Sequence, residues 1–254
     1  MHLELGFPDP AVSDMYEVKL VLIGVNKEKG KEVHRMAPIT PEVLLLLRTK
    51  LNLEDHNDVT FWAACLVGFF GLLRRSNLFP PALSRFDPKK HLSRTCVSRA
   101  LYGFLITLPW SKTIQHKERK LLIPLLRVPG HPLCPVHALD TMFSMFPDAG
   151  KTQPLFLRRV NGSLTPVLYG WFASKLGAVL TSCSLDASLY GSHSLRRGGA
   201  TWALHCGASP EIIQMLGDWH SDAYKAYLEV SLHDKISTLE TLIKHLPCLS
   251  RDSS

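Results

Sequence analysis

A histidine and an arginine lie three positions apart in the segment "GSHSLRRGG", as His193 and Arg196. Residues with this spacing share one face of a helix. A guanidinium group binds oxyanions through paired, charge-assisted hydrogen bonds, and an imidazole exchanges a proton near neutral pH. Arg197 follows directly, ahead of an apolar stretch. The pattern indicates an oxyanion site with a proton acceptor, although a helix that opens with surface arginines has the same pattern.

Three further segments contain residue types suited to the same chemistry. Arg74 follows the apolar run 61–73, where a guanidinium is unusual unless an anion meets it. Lys112 lies in the basic stretch "WSKTIQHKERK", and Tyr224 and Tyr227 lie three apart in "AYKAYLEV". Taken one at a time, each has a simpler structural explanation. Arg74 would complement a helix dipole, Lys112 would be an exposed hairpin lysine, and the two tyrosines would pack in the core. Their order along the chain favours a single site.

Positive charge is concentrated in one part of the sequence. The whole chain of 254 residues has a formal net charge of +7, whereas residues 85–127 alone contain ten Lys or Arg and two acidic residues. A basic block of this kind is typical of a polyanion partner, most often nucleic acid. A solvated loop whose lysines serve solubility has the same composition, and charge alone does not separate the two.

The cysteine and hydropathy patterns argue against a metal site and against a membrane span. The six cysteines include no CxxC pair, and Cys134 and His137 have no partner pair at zinc spacing. The longest apolar run, residues 61–73, is shorter than the about 18 residues that span a bilayer. The beginning, "MHLELGFPDP", does not resemble a secretory leader. We therefore expect an intracellular protein that uses no metal and no other cofactor.

The elements predicted around these residues are mostly helical. Thr40, Pro41 and Glu42 form a helix start, with a hydroxyl cap, a proline at the first position and an acid near the positive end of the dipole. A second helix follows Asn57 and Asp58 and runs up to Arg74. Branched residues on both sides of "SKTIQHKE" predict a small antiparallel hairpin. Further helices are predicted at 135–146, 165–180, 195–206, 209–217 and 221–230, followed by an amphipathic segment at 234–246. The predicted fold class is mainly α with a small antiparallel β-sheet.

Taken in order, these segments resemble the tyrosine recombinases, the phage-integrase family, from about Thr40 to Tyr227. "GLLRRSNL" is similar to the family's first arginine box, "SHSLRRGGAT" to its His-x-x-Arg box and "AYKAYLE" to its nucleophile box. The segments "WSKTIQ" and "RRGGAT" look most like recombinases of eukaryotic mobile elements of the Crypton or DIRS/Ngaro kind. The resemblance implies a tyrosine recombinase catalytic-domain fold with the catalytic residues Arg74, Lys112, His193, Arg196, Trp219 and Tyr227.

One position departs from the family's pattern. Tyrosine recombinases usually have a His or Trp nine residues before the tyrosine, where this chain has Asp218. Trp219 lies eight residues before Tyr227, and His220 lies seven before it. We favour Trp219, because a loop shortened by one residue is easily absorbed, and His220 is the alternative.

The resemblance also implies how the chain is divided. Residues 36–232 would form the catalytic domain. Residues 1–35 look like the last helix and linker of an N-terminal core-binding domain, and residues 233–254 contain the amphipathic helix and a tail. Recombinases dock such a helix onto a neighbouring subunit, so we expect a homo-oligomer on DNA. Packing of the helix on its own subunit is the alternative.

The implied chemistry joins Tyr227 to a DNA 3′ phosphate without metal or ATP. Arg74 and Arg196 would hold the phosphate, Lys112 would protonate the leaving hydroxyl, and His193 would carry the tyrosine's proton. Arg197 would have a supporting or phosphate-contacting role. The partner would be double-stranded DNA, in the nucleus if the chain is eukaryotic. The basic residues expected on the DNA backbone are Lys89, Lys90, Lys117, Arg119, Lys120 and Arg197.

Three other functions are compatible with parts of the sequence. A type IB topoisomerase would use the same chemistry to relax DNA, and the amphipathic segment at 234–246 favours a recombinase over it. A domesticated, non-catalytic DNA-binding protein would be expected to have lost the tyrosine or an arginine first, and both are present. A helical scaffold protein would leave the basic hairpin unexplained.

Overall fold

The fold is described by a computed structural model for residues 36–80, 82–88, 91–108, 121–191 and 193–219. These residues are mainly helical with small antiparallel sheets, which confirms the predicted fold class. The helices are α1 (Pro41–Arg48), α2 (His56–Phe70), α3 (Arg75–Leu78), α4 (Pro135–Met145), α5 (Tyr169–Ser182), α6 (Ser194–His205) and α7 (Pro210–Leu216). The strands are β1 (Val97–Ala100), β2 (Gly103–Leu108), β3 (Leu121–Leu126), β4 (Leu157–Val160) and β5 (Ser163–Pro166).

Helix α1 begins where its sequence predicts. The Thr40 hydroxyl accepts a hydrogen bond from the backbone N–H of Val43, and Pro41 is the first helical residue. A side-chain cap and a proline at this position both favour a helix start, because they satisfy or remove backbone donors that have no partner within the helix. Leu44 and Leu47 are fully buried and attach α1 to the core.

Helix α2 forms the centre of the core, since every residue from Asp58 to Phe69 is buried. The Asp55 carboxylate caps it by accepting the N–H groups of Asn57 and Asp58, each at 2.9 Å. Helices α4 and α6 and strand β4 pack around it. The prediction that this helix continues to Arg74 was wrong. It ends at Phe70, because Leu72 has a positive φ of 47° and turns the chain.

The predicted hairpin is confirmed as strands β2 and β3, which pair antiparallel with Phe104 opposite Leu125 and Ile106 opposite Ile123. These four side chains are buried and form the inner face of the sheet. Strand β1 adds a third strand at the other edge of β2. Its sequence, "VSRA", did not predict a strand, because pairing with β2 rather than its own hydrophobic pattern stabilises it.

A second hairpin, formed by β4 and β5, was not predicted. Asn161 and Gly162 make its two-residue turn with φ angles of 49° and 78°. Both central residues of this turn type need a positive φ, which Asn and Gly adopt at low cost. Because β5 occupies residues 163–166, helix α5 begins at Tyr169 rather than at the predicted residue 165.

Several predictions fall outside the described residues: the basic connection 109–120, the helix at 221–230, the amphipathic segment at 234–246, and the domain segments 1–35 and 233–254. In the part that is described, no helix is both long and apolar enough to cross a membrane. The cysteines of that part, Cys65, Cys96, Cys134, Cys183 and Cys206, are free thiols.

Two adjacent glycines bring α6 into backbone contact with the core. A Cβ atom on Gly198 would lie 1.8 Å from the carbonyl oxygen of Ile39, and one on Gly199 would lie 2.2 Å from that of Phe69. Such distances are far inside van der Waals contact. Helix α6 can therefore reach this position only with glycine at both sites.

We expect Gly198→Ala to lower the free energy of unfolding by at least about 3 kcal/mol, because a methyl group would force α6 away from a rigid backbone segment. Gly170→Ala is the matched control, since a Cβ there meets nothing within 4 Å. The control should range from no change to a gain of about 1 kcal/mol. Urea unfolding of both variants measures the difference, and equal stabilities would contradict the packing.

Candidate active site

Arg74 is positioned by the sharp turn that follows α2. After Leu72 the chain reverses, and Arg74 becomes the residue that caps helix α3. Its backbone N–H donates to Oδ1 of Asn77 at 3.1 Å. The side chain is half-buried, and its Nη2 donates to the backbone carbonyl of Asp218 at 3.2 Å. Arg74 thus lies at the junction of two segments that are 144 residues apart in sequence.

Arg196 is one of the most deeply buried side chains, with 2% of its surface exposed. From the first turn of α6, its Nη1 donates to the carbonyl oxygen of Leu72 and its Nη2 to that of Gly217 at 2.7 Å. Its Cζ lies 3.7 Å from the centroid of the Trp219 ring. Two carbonyls and an aromatic face compensate a buried charge in part, and their separation in sequence makes Arg196 a link between elements.

The turn at residues 217–219 holds both arginines. Gly217 ends α7, Asp218 has a φ of 53°, and the Trp219 N–H donates back to the carbonyl of Gln214 at 3.1 Å. A Cβ on Gly217 would lie 1.6 Å from the Trp219 ring, so this ring packs directly on the glycine backbone. Two consecutive carbonyls, those of Gly217 and Asp218, accept from Arg196 and Arg74. One short turn therefore accepts hydrogen bonds from both guanidinium groups.

His193 precedes α6 and lies at the edge of this cluster, at the protein surface but with its ring partly covered. Partial burial of the ring, followed by the positive charges of Arg196, Arg75 and Arg74, lowers its pKa below the ordinary value. An imidazole with a lowered pKa is neutral near neutral pH. His193 can therefore accept a proton from a neighbouring group.

Arg75, the residue that follows Arg74 in "GLLRRSNL", joins the cluster as a third guanidinium. It is exposed, and its Cζ lies 4.8 Å from the centroid of the Tyr169 ring at the start of α5. Stacking on an aromatic face fixes the direction of the guanidinium without using its hydrogen-bond donors. No sequence signal at Tyr169 pointed to this contact, because it joins residues 94 positions apart.

Arg197 is placed differently from Arg74 and Arg75. It is 7% exposed, and its Nη1 donates to the carbonyl oxygen of Met36 at 2.9 Å. Of the two roles expected from the sequence, this position fits the supporting role, in which Arg197 attaches α6 to the segment before α1.

The structure thus brings Arg74, His193, Arg196 and Trp219 together. Lys112, Tyr227 and the alternative His220 lie outside the described residues, so their roles stay predictions. The same holds for the proposed DNA-backbone residues Lys89, Lys90, Lys117, Arg119 and Lys120. Within the described part, no group of three or more His, Cys, Asp or Glu is arranged to hold a metal ion.

The two arginines should differ in their effect on stability. Arg196→Ala leaves two buried carbonyls without this donor, so we expect the free energy of unfolding to fall by about 3–5 kcal/mol. Arg74→Ala removes one bond from a half-buried side chain and should cost about 1 kcal/mol. Urea unfolding of both variants tests this, and a smaller loss for Arg196→Ala would contradict its role as a link.

The charge of Arg75 should be measurable at His193. Because that charge contributes to lowering the pKa of His193, Arg75→Gln should raise this pKa toward its ordinary value. The neutral Gln removes the charge while keeping a similar chain length. NMR titration of the imidazole Cε1 proton measures the change, with Arg48→Gln, a charge removed elsewhere, as control. An unchanged or lower pKa in Arg75→Gln would refute the electrostatic coupling.

Comparisons of the sequence with models of protein families give no match, and a search among curated proteins finds no similar one. Solved structures do match. The chain is similar to the XerH site-specific recombinase bound to difH substrate, with 10% identity and a TM-score of 0.58 over 82% of this chain and 53% of that one. It is similar to the XerA recombinase, with 14% identity and a TM-score of 0.54 over 98% and 72% of the two chains.

The integrase of transposon Tn1549, in complex with a circular intermediate DNA, also matches, with 14% identity and a TM-score of 0.53 over 95% of this chain and 82% of that one. This chain spans about half the length of the XerH chain that it matches. At such low identity the likeness concerns the fold. Helices around a central buried α2, with small antiparallel sheets, form the fold of a tyrosine recombinase catalytic domain.

Proposed function

We propose that this chain breaks and rejoins DNA strands through a covalent phosphotyrosyl intermediate, with Tyr227 as the nucleophile. One observation carries the proposal. Arg74 and Arg196 donate to consecutive carbonyls of one turn, with His193 and Arg75 close enough for their charges to interact. This positive cluster lies in a chain whose fold is similar to the folds of two recombinases and an integrase.

The cluster suits a phosphodiester, because the transition state of its cleavage carries more negative charge than the substrate. Arg74 and Arg75 are accessible enough to contact the phosphate oxygens. Arg196 is 2% exposed, so it acts on the phosphate through its electrostatic field. Direct contact with the phosphate would require the turn at 217–219 to move. A buried charge acts through a lower dielectric constant than a surface charge, and its field at the site is correspondingly stronger.

Tyrosine needs help to become a nucleophile, since the phenol pKa is about 10. Positive charge nearby favours the phenolate, and the neutral His193 imidazole can receive the proton. The distance is feasible. Tyr227 lies eight residues beyond Trp219, and eight residues span about 12 Å as a helix or about 26 Å when extended.

The proposed step exchanges one phosphate ester for another. The phenolate oxygen of Tyr227 attacks phosphorus, the bond from phosphorus to the 5′ oxygen breaks, and that oxygen takes a proton from Lys112. The products are a 3′-phosphotyrosyl bond and a free 5′ hydroxyl. Attack by the 5′ hydroxyl of a second strand reverses the step and restores the tyrosine. No net hydrolysis occurs, so the step needs no ATP, and in the proposed mechanism the arginines stabilise the charge that a metal ion would otherwise stabilise.

The partner we propose is double-stranded DNA. The XerH and Tn1549 structures that match this chain contain DNA, and residues 85–127 of this chain have the excess of basic residues that a DNA backbone attracts. Assembly as a homo-oligomer on DNA, a mobile-element origin of the Crypton or DIRS/Ngaro kind, and a nuclear location in a eukaryote are finer proposals. They are supported by sequence resemblance.

Covalent trapping tests the proposed reaction. The protein is incubated with nicked duplexes of random sequence. After cleavage, the short fragment between the cleavage site and the nick, which carries the new 5′ hydroxyl, dissociates and cannot reverse the step. The mixture is then denatured in detergent. We expect a protein–DNA adduct with the native chain and with Tyr224→Phe, and none with Tyr227→Phe. Tyr224→Phe is the matched control, because it removes a hydroxyl three residues away. Arg74→Lys should slow adduct formation about 100-fold or more, since lysine lacks the planar fork.

The outcomes separate the proposal from its alternatives. Salt-sensitive DNA binding that is identical in all variants, without an adduct, would refute the enzymatic function and favour a DNA-binding protein. An adduct in Tyr227→Phe would refute the nucleophile. An adduct together with relaxation of a supercoiled plasmid, and without exchange between two labelled duplexes, would indicate a topoisomerase instead of a recombinase.

A further inference from the structure

A cavity of about 380 Å³ lies between the end of α1, the first half of α2, the loop that follows β3 and the beginning of α4. Pockets that hold small organic ligands have volumes of roughly 300–1,000 Å³. The strand-cleavage step proposed above uses none of its lining residues, although one of them, Arg127, is the last residue of the basic block 85–127. These residues are Arg48, Leu53, Val59, Trp62, Arg127, Val128, Pro129, Gly130, His131, Pro132, Cys134, His137, Ala138 and Thr141.

The cavity is separate from the candidate active site. On α2 it is lined by Val59 and Trp62, whereas the turn that leads to Arg74 follows Phe70. Eight residues of helix separate Trp62 from Phe70, a distance of about 12 Å. Strand β3 gives the same result. Its first residue, Leu121, borders a groove shared with Trp219. Its last residue, Leu126, lies about 17 Å further along the strand, and the chain reaches the cavity at the next residue, Arg127.

The inner wall of the cavity is apolar and well ordered by packing. Val59 and Trp62 are 2% and 3% exposed, and Leu53, Pro129 and Pro132 extend the same wall. The indole N–H of Trp62 makes no hydrogen bond to the described part of the chain. Such a wall removes hydrocarbon from water and offers one donor to a polar end.

The charged side chains of the lining are the two arginines Arg48 and Arg127, and the lining contains no Asp or Glu. Arg48 is half-buried at the end of α1, and its guanidinium has no hydrogen bond or ion pair among the residues that the structure describes. Arg127 already shares the Asp140 carboxylate with Arg99, at 3.0 and 2.8 Å. Within the described residues, one guanidinium without a hydrogen-bond or ion-pair partner therefore faces a cavity whose lining contains no carboxylate.

Hydrogen bonds of Cys134 and His131 fix the loop that borders the cavity. The Cys134 sulfur accepts the backbone N–H groups of Val128 and His137, at 3.2 and 3.3 Å, and so caps α4. Nδ1 of His131 accepts the N–H of Leu133 at 3.1 Å. This bond leaves the proton of a neutral His131 on Nε2, where it can be donated. The loop is thereby fixed by its own bonds, and His131 adds a donor to the guanidinium of Arg48.

We infer that this cavity binds an organic carboxylate, an apolar group that lies on Trp62 and Val59 and ends in a single carboxyl group bound by Arg48. The guanidinium of Arg48, which is unpaired among the described residues, matches one negative charge, and its planar fork matches the two oxygens of a carboxylate. The carboxylate belongs either to a free small acid or to an acidic residue beside an aromatic one in a peptide.

Calorimetric titration of the full chain tests this with two probes that differ only in charge, 4-phenylbutyrate and 4-phenylbutyramide. We expect the acid to bind about tenfold more tightly than the amide, the usual effect of one charge-assisted bond. Arg48→Gln should abolish this advantage and leave the affinity for the amide unchanged, which also shows that the cavity is still folded. Lys50→Gln is the matched control, because it removes the same charge two residues away outside the cavity.

Equal affinity for acid and amide in the native chain would overturn the inference. So would an Arg48→Gln variant that behaves like Lys50→Gln, or displacement of the acid by a short DNA duplex at equal concentration, which would assign the cavity to nucleic acid. The capped peptide acetyl-Leu-Phe-Glu-amide distinguishes the two sources. Tighter binding than 4-phenylbutyrate indicates a protein partner, and weaker binding indicates a small acid.

Discussion

The buried guanidinium of Arg196 is the constraint on which the candidate site depends. Removing a charged group from water is expensive unless polar partners replace the water, and here two carbonyls and an aromatic ring do so. These partners come from Leu72, Gly217 and Trp219, in two turns that are far apart in sequence. Since the turn after α2 also presents Arg74, one side chain fixes the position of both arginines.

This arrangement requires very close packing, which only glycine permits. Gly198 and Gly199 allow α6 to touch the backbone at Ile39 and Phe69, and this contact brings Arg196 within reach of the Leu72 carbonyl. Gly217 leaves room for the Trp219 ring to fold back over the end of α7. The glycines of "RRGG" and "GDW" therefore permit the close packing that positions the candidate site residues next to them.

Local signals in the sequence were sufficient for most helices and for the main hairpin. Thr40 with Pro41 and Ser209 with Pro210 mark helix starts that the structure contains. The turn at Leu72 could not be predicted, because a leucine with positive φ is stabilised by its surroundings and not by its own preference. The hairpin of β4 and β5 could have been predicted, because Asn161 and Gly162 are a strong turn signal.

The site shows the same division between local and long-range information. Residue type and spacing, together with the resemblance to tyrosine recombinases, selected Arg74, His193, Arg196 and Trp219 as candidates, and the fold brings these four residues together. Burial could not be predicted, because the sequence "HSLRR" does not show which arginine faces the core. In the structure both arginines are buried: Arg196 joins two turns, and Arg197 donates a hydrogen bond to Met36. Burial depends on helix packing, which involves residues more than 100 positions away.

Like charges held together by the fold explain why the site would favour an anion. Arg74, Arg75 and Arg196 repel one another, and their charges add to the partial burial of the imidazole in lowering the pKa of His193. The energy that holds them together comes from the core and from the carbonyl bonds of the two turns. A phosphate between these groups would offset the repulsion without any rearrangement of the core. The same field would favour a phenolate over a phenol, so binding of the phosphate and activation of the nucleophile would have one physical cause.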